Sequence, residues 1–219
     1  MVPPMSAAAS GSSTGRAALA TALSASLATA LLSALFAAGA EAAEEPALFG
    51  FGRQEIGFSL GYGDGASITS SGRVEGRLVQ ELVLLGHWQI ALSREPLRPA
   101  WYKGMLSLRI EPHVIVNFEP RTGVAGGAAA MLRYEWTRFD TRPFVEGGAG
   151  IIGLDFDVFD QADGLAFDPT LGAGVIHRFD DHWSLQLALR FQHISNAFTE
   201  YPNGGIEAFQ YLLGGAYRF

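Results

Sequence analysis

The chain has 219 residues, with 22 Asp and Glu against 15 Lys and Arg, and a formal net charge of −7. This length allows one domain or two small ones, and the acidic balance argues against a nucleic-acid partner. Because the sequence has no Cys, disulfides, thiolate metal sites and a cysteine nucleophile are excluded.

The first 43 residues differ in composition from the rest of the chain. An uncharged run at 17–40 is dominated by Ala, Leu and Ser, and small residues in A-x-A spacing follow it. This pattern is typical of a secretory signal peptide cleaved near Ala42 or Ala43. The alternative is a retained membrane anchor, because about 20 apolar residues can span a bilayer. We expect residues 1–43 to be a signal peptide and residues 44–219 to form the mature domain.

From about Gln54 onward, apolar and polar residues alternate with a period of two, which indicates β-strands. In residues 105–118 the even positions are apolar from Leu106 to Phe118, whereas the odd positions include Arg109 and Glu111. The same alternation predicts eight strands, at roughly 54–62, 74–93, 104–118, 123–137, 143–155, 166–178, 183–195 and 206–219. The strand at 143–155 is the least regular, because Glu146 and Asp155 lie at opposite parities.

Two all-β architectures fit this alternation. A soluble sandwich buries its apolar face, whereas a membrane barrel turns its apolar face to lipid and encloses the polar one. The signal peptide, the strand lengths and the terminal Tyr217-Arg-Phe219 favour an all-β, eight-stranded antiparallel transmembrane β-barrel. Tryptophans at one set of strand ends also fit an interfacial belt. These residues are Trp88, Trp101, Trp136 and Trp183.

An eight-stranded barrel encloses only enough room for its own side chains. We therefore expect the charged residues of the polar face to pair inside a filled core and not to line a pore: Arg77, Glu81, Arg109, Glu111, Arg133, Glu135, Arg178, Arg190 and Arg218. An even number of strands places both chain ends on the periplasmic side of the outer membrane of a Gram-negative cell. The segments at 63–73, 119–122, 156–165 and 196–205 should then face outward.

The last two predicted strands carry groups that could perform catalysis. By parity, His193, Ser195 and Glu207 continue the apolar, lipid-facing rows, where an ionisable group is costly and invites a functional explanation. Ser195 lies ~6.6 Å beyond His193 on the same face, and a cross-strand neighbour such as Glu207 lies within ~5.5 Å. The spacing predicts a nucleophile, a base and an orienting acid. Asn196, or a backbone N–H near it, would stabilise the oxyanion.

These residues resemble the lipid A 3-O-deacylases of the outer membrane, the PagL family. Its hallmark is a His-x-Ser-Asn-Ala stretch on the penultimate strand, followed by Asn-x-Gly and a Glu on the last strand. The sequence here reads His-Ile-Ser-Asn-Ala from His193 and Asn-Gly-Gly-Ile-Glu from Asn203, and Glu207 follows Ser195 by twelve positions, as in the family. One departure is Phe198, the second residue after Asn196, where the family commonly has Gly.

The resemblance implies a catalytic triad of His193 as base, Ser195 as nucleophile and Glu207 as third member, with no metal or other cofactor. Asn203 and Gly205 are expected to be turn residues first and substrate contacts second. The implied function is a serine esterase of the outer membrane that releases a 3-hydroxyacyl chain from lipid A of lipopolysaccharide.

Its partners would be lipopolysaccharide in the outer leaflet and membrane lipid, and the sequence leaves a homodimer open. Two alternatives are a non-enzymatic small barrel used for adhesion or membrane integrity, and an outer-membrane phospholipase acting on glycerophospholipid esters.

Overall fold

The computed structural model describes residues 52–65, 79–93, 103–138, 140–156 and 161–219. These residues form nine strands: β1 (Gln54–Gly65), β2 (Gln80–Ala91), β3 (Gly104–Glu119), β4 (Gly123–Trp136), β5 (Thr141–Leu154), β6 (Gly164–Phe167), β7 (Thr170–Arg178), β8 (Trp183–Ile194) and β9 (Ile206–Arg218). No helix in this part of the chain is long and apolar enough to cross a bilayer. The expected signal peptide, Arg77 and Trp101 lie outside the described residues.

The strands form one closed antiparallel sheet. Neighbours follow the order β4, β3, β2, β1, β9, β8, β7, β5, and pairing of β4 with β5 closes the ring. Strands β6 and β7 both pair with β5 and make up a single barrel strand in two pieces. The predicted eight-stranded barrel is therefore confirmed. The unexpected break falls at Asp168 and Pro169, where a proline has no N–H to donate to the ladder.

The strand predicted at 143–155 runs from Thr141 to Leu154. Its irregular parity has a simple cause. Glu146 lies within the strand and is buried in the barrel interior, whereas Asp155 lies beyond the last strand residue. Only the residues before Asp155 therefore obey the alternation.

The two faces of the sheet have opposite chemistry. Outward side chains are large and apolar along the whole ring, among them Ile56, Phe58, Leu132, Ile151, Leu171 and Leu213. The three described tryptophans, Trp88, Trp136 and Trp183, lie toward the same end of the barrel, next to the chain's last strand residues. An apolar exterior with an aromatic belt at one end is the arrangement that lipid requires. The opposite end, where β8 finishes and β9 begins, is called here the site rim.

Charged side chains fill the middle of the barrel. Glu146 accepts hydrogen bonds from Arg133 at 2.8 Å and from Arg190 at 2.7 Å, and its carboxylate lies 3.4 Å from Arg109. Glu111 in turn pairs with Arg190 at 2.7 Å and with Arg109 at 3.0 Å. These three arginines and two glutamates hold opposite walls of the barrel together.

A second charged group lies nearer the tryptophan end, where Arg178 is 3.0 Å from Glu135 and 3.4 Å from Glu55. Arg218 also pairs with Glu55, at 3.6 Å. Toward the site rim the interior becomes apolar, in a cluster that includes Ile115, Ile152, Leu154, Phe156, Ile194 and Ile206. The predicted polar, filled core is confirmed for the described residues. Glu81 differs in its partner, because it accepts a hydrogen bond from Gln210 at 2.9 Å.

Replacing the central carboxylate tests this core. We expect Glu146→Ala to lower the free energy of unfolding by about 3–5 kcal/mol, because it leaves buried guanidinium groups without their counter-charge. Urea unfolding in detergent micelles measures the change. The control is the neighbouring Val145→Ala, whose side chain is 43% exposed on the outer face. Equal midpoints for the two variants would contradict a stabilising role of the network.

Candidate active site

His193 and Glu207 face each other across the last two strands. They are direct cross-strand partners in the β8–β9 ladder, and His193 Nδ1 lies 3.5 Å from Glu207 Oε1. On the same outer face, the rings of Phe191 and Phe209 contact each other just below the pair, with centroids 5.4 Å apart. The imidazole is 34% exposed, whereas the carboxylate is only 3% exposed. Burial of Glu207 keeps its charge out of contact with lipid, although its position belongs to the lipid-facing row.

Ser195 lies one residue past the end of β8 and forms an isolated bridge with Phe167 of β6. Its N–H donates to the Phe167 carbonyl at 2.9 Å, and its own carbonyl accepts from the Phe167 N–H at 2.8 Å. The backbone of the serine is therefore fixed by the neighbouring strand piece, although the loop begins immediately after it.

The Ser195 hydroxyl points to the loop and not to the imidazole. It donates to Asn203 Oδ1 at 2.9 Å, and the same oxygen accepts from the Asn196 N–H at 3.0 Å. The N–H of Ala197 lies 3.3 Å from Ser195 Oγ as a further donor. The structure thus brings His193 and Glu207 into contact and puts Ser195 beside them on the same rim, with its hydroxyl bonded to Asn203.

Asn196 braces the loop that follows the serine. Its side-chain Nδ2 donates to the Glu200 carbonyl at 2.9 Å, and its Oδ1 accepts from the Phe198 N–H at 3.0 Å. These bonds hold Ala197 and Phe198 at φ values of 52° and 64°, where an L-residue costs about 1–2 kcal/mol. A glycine would adopt this conformation freely. The brace explains how Phe198 occupies the position at which the family commonly has Gly.

The hydrogen-bond donors around Ser195 are mostly committed. The N–H groups of Ser195, Asn196 and Phe198 already donate to Phe167, Asn203 and Asn196. Two donors belong to groups that contact the hydroxyl: the Ala197 N–H, which donates to Oγ itself in this arrangement, and Asn203 Nδ2, which donates to no acceptor within the described residues. They are the groups that could contact an anionic oxygen formed at this serine.

Gly205 is required by both its conformation and its neighbour. Its φ is +81°, and a Cβ at this position would lie 2.8 Å from His193 Cε1 and 3.3 Å from His193 Nε2. Gly205 therefore lies against the Cε1–Nε2 edge of the imidazole, whereas Nδ1 faces Glu207. The sequence identified Gly205 only as a turn residue with a possible substrate contact, and the close approach to the imidazole adds a second reason for glycine.

A second loop reaches the site from the β5–β6 connection. Gln161 forms a bridge with Asn203, and the Ala162 N–H donates to the Pro202 carbonyl at 3.0 Å. Sequence reasoning assigned residues 156–165 to an outer loop and Phe167 to the apolar row, and it found neither contact with the site. The available signal was Pro169, which interrupts the ladder pattern of its strand.

Comparison with known proteins places the chain in a family. The family model for lipid A 3-O-deacylase (PagL) matches residues 71–215. The crystal structure of the outer membrane enzyme PagL superposes with a TM-score of 0.51 at 20% sequence identity, over 73% of this chain and 97% of that one. Neisserial surface protein A (NspA) superposes with a TM-score of 0.54 at 10% identity, over 76% and 97%. Among curated protein sequences, none matches this chain significantly.

At such identities the two structures establish the fold alone. An eight-stranded closed sheet with an apolar exterior and a charged, filled interior is an outer-membrane β-barrel. The family match covers most of the barrel, including β8 and β9 as far as residue 215. The chain belongs to the lipid A 3-O-deacylase (PagL) family, which confirms the resemblance found in its last hairpin.

Adding one methyl group at Gly205 tests the close approach to the imidazole. We expect Gly205→Ala to displace the His193 ring and to lower the deacylation rate roughly 100-fold, since catalytic groups tolerate little misplacement. Turnover of purified lipid A by the detergent-solubilised barrel measures the effect. Gly204→Ala is the control, because Gly204 is half-buried and has no positive φ. If both variants kept full activity, Gly205 would have no part in placing the ring.

Proposed function

We propose that this protein is an outer-membrane serine esterase that hydrolyses the 3-O-linked hydroxyacyl ester of lipid A. Ser195 is the nucleophile, His193 the general base and Glu207 the group that orients the imidazole. The observation that carries the proposal is the pair of His193 Nδ1 and Glu207 Oε1, 3.5 Å apart beside Ser195 on the outer face of the barrel. A paired imidazole and carboxylate on the surface that faces lipid calls for a function, because ionisable groups there are costly.

The buried carboxylate sets the tautomer of the base. Glu207 Oε1 lies 3.5 Å from His193 Nδ1 and favours the tautomer that carries its hydrogen on Nδ1, so the lone pair on Nε2 is free to take a proton from an alcohol. In the resting arrangement the Ser195 hydroxyl is bonded to Asn203. Rotation about its Cα–Cβ bond carries the hydroxyl from Asn203 toward the imidazole, while the backbone bonds to Phe167 keep the serine in place.

Catalysis then proceeds in two steps: the acyl group is transferred from lipid A to Ser195 and then from Ser195 to water. Ser195 Oγ attacks the ester carbonyl carbon as its proton moves to His193 Nε2, and the carbonyl oxygen becomes an oxyanion. The Asn203 Nδ2 and Ala197 N–H groups stabilise that charge. Collapse breaks the bond to the sugar oxygen, which leaves as the alcohol with the proton from His193. Water, deprotonated by the same imidazole, attacks the acyl-serine; the bond to Ser195 Oγ breaks, His193 returns the proton to that oxygen, and the 3-hydroxy fatty acid is released.

The outward placement of the site suits a substrate that never leaves the membrane. Below the rim, the outer face carries Leu171, Phe191 and Phe209, so an acyl chain can lie along the barrel wall in the hydrocarbon layer. Its ester would then be level with the rim, where the headgroup layer begins. Lipid A reaches the serine by lateral diffusion, and neither a pore nor an internal cavity takes part.

Replacement of the nucleophile tests the proposal directly. We expect Ser195→Ala to reduce deacylation by about 10⁴-fold or more, whereas the barrel keeps its heat-modifiable migration on gels. Mass spectrometry of lipid A and phospholipids from cells expressing either protein gives the readout. Loss of one 3-hydroxyacyl mass with the wild type alone supports the proposal. Lyso-phospholipid would indicate a phospholipase, and unchanged lipids would indicate a non-enzymatic barrel.

Asn203→Asp separates the two roles of this side chain. The variant keeps an acceptor oxygen for Ser195 and Asn196 but loses the Nδ2 donor. We expect kcat to fall about 10²–10³-fold, as when one oxyanion donor is removed, with a much smaller change in KM. Steady-state kinetics on lipid A in mixed micelles makes the comparison. A wild-type kcat in Asn203→Asp would exclude the amide from the oxyanion site.

A further inference from the structure

The break between β6 and β7 lies against the end of β8, which carries His193 and is called here the catalytic strand. Residues 167–169, called here the 167–169 segment, hold β8 through their backbone. Pro169 accepts from the His193 N–H at 3.0 Å, and Phe167 exchanges two hydrogen bonds with Ser195, at 2.8 and 2.9 Å. The backbones of the proposed base and the proposed nucleophile are therefore both bonded to this short segment.

The middle residue of the segment turns its side chain into the barrel. Asp168 is only 1% exposed, and its Oδ2 lies 3.2 Å from His113 Nε2, within ion-pair distance when the imidazole is protonated. The same oxygen accepts from Gln192 Nε2 at 3.3 Å. Gln192 directly precedes His193, so one buried carboxylate is tied to both β3 and the catalytic strand.

The network continues beneath the site to the last strand. Gln192 Oε1 accepts from Gln210 Nε2 at 2.7 Å, and Gln210 Nε2 also donates to Glu81 at 2.9 Å. The neighbouring strand β5 leaves room for the carboxylate, because a side chain at Gly150 would collide with Asp168 Oδ1, and the Asp168 N–H donates to the Gly150 carbonyl at 3.2 Å. Asp168 is thus fixed from strands β3, β5 and β8 together.

A buried carboxylate is expensive, and an apolar side chain would fill the same space at lower cost. The central layer of arginines and glutamates already joins the walls of the barrel. Asp168 is separate from that layer. It belongs to the 167–169 segment, to which both His193 and Ser195 are bonded, so its carboxylate can fix that segment.

We propose that Asp168, held by His113, is a positioning residue of the active site: it fixes the 167–169 segment from inside the barrel and thereby the placement of Ser195 relative to His193. This inference rests on the proposed function, since it assumes that the two residues act together. Asp168 itself touches no substrate.

Kinetics of Asp168 variants test the inference. We expect Asp168→Ala to lower kcat about 100-fold, as a displacement of about 1 Å would, with KM changed less than about threefold because the substrate still binds the outer wall. Asp168→Asn keeps an acceptor for Gln192 and loses the charge that faces His113, so it should recover part of the lost kcat. A merely structural role would lower the midpoint of unfolding and leave kcat of the folded barrel unchanged.

A matched control exists at the other end of the barrel. Glu55 is also buried and also lies beside a histidine, with His87 Nε2 3.6 Å from Glu55 Oε1. It belongs to the tryptophan end, remote from Ser195. Glu55→Ala removes a comparable buried carboxylate, so we expect a similar loss of stability and an unchanged kcat. Equal kcat losses in Glu55→Ala and Asp168→Ala would overturn the inference.

A second readout avoids lipid A altogether. A fluorophosphonate probe labels a serine only when its hydroxyl is activated, so its rate of reaction with Ser195 reports the placement of the base. Labelling about 100-fold slower in Asp168→Ala than in Glu55→Ala supports the inference, and equal rates overturn it. If the probe labels Ser195 of the wild type but lipid A stays intact, the substrate assignment fails. The labelling rates of the two variants then still decide whether Asp168 positions Ser195. If Ser195 is never labelled and no lipid is cleaved, both proposals fail.

Discussion

The ring of strands, the filled interior and the apolar exterior of this protein all depend on closing a sheet in a medium that offers no hydrogen bonds. Backbone N–H and C=O groups in the bilayer core must pair with one another, so an open edge is excluded and the strands must form a ring. Eight strands make a ring whose interior holds only side chains. The pairing of β4 with β5 satisfies the backbone, and the carboxylate of Glu146 with its arginines fills the space that the closure creates. Apolar residues are left to the outside.

Closure also decides where chemistry can occur. Because the interior is filled by charged pairs and capped by an apolar cluster toward the site rim, substrate has no route through the barrel. The remaining surface is the outer wall, where polar groups are tolerated only near the ends of strands. His193 and Glu207 occupy opposed positions at such an end, and burial of the carboxylate beneath its neighbours lets a charge exist beside hydrocarbon. A site of this kind suits a substrate that is itself part of the membrane.

The sequence could predict whatever depends on strand parity. Alternation is a local property, so the eight strands, the inward direction of Arg109 or Glu135 and the shared face of His193 and Glu207 follow from residue spacing alone. It could not predict what depends on contacts between distant segments. The interruption at Asp168 and Pro169, the bridge from Gln161 to Asn203 and the direction of the Ser195 hydroxyl are set by how one loop meets another, and no periodicity records them.

The site therefore combines two kinds of support. His193 and Glu207 are paired in the β8–β9 ladder, so the proposed base has little freedom. Ser195 lies where the ladder ends: its backbone is bonded to Phe167, while its hydroxyl is held by Asn203 in a loop that Asn196 braces. In the proposed mechanism the hydroxyl moves by rotation about one bond, so the barrel need not rearrange. Because strained backbone at Ala197 and Phe198 is confined to the braced loop, strands β8 and β9 remain regular, and the rim can hold His193, Ser195 and Glu207 without weakening the closure of the sheet.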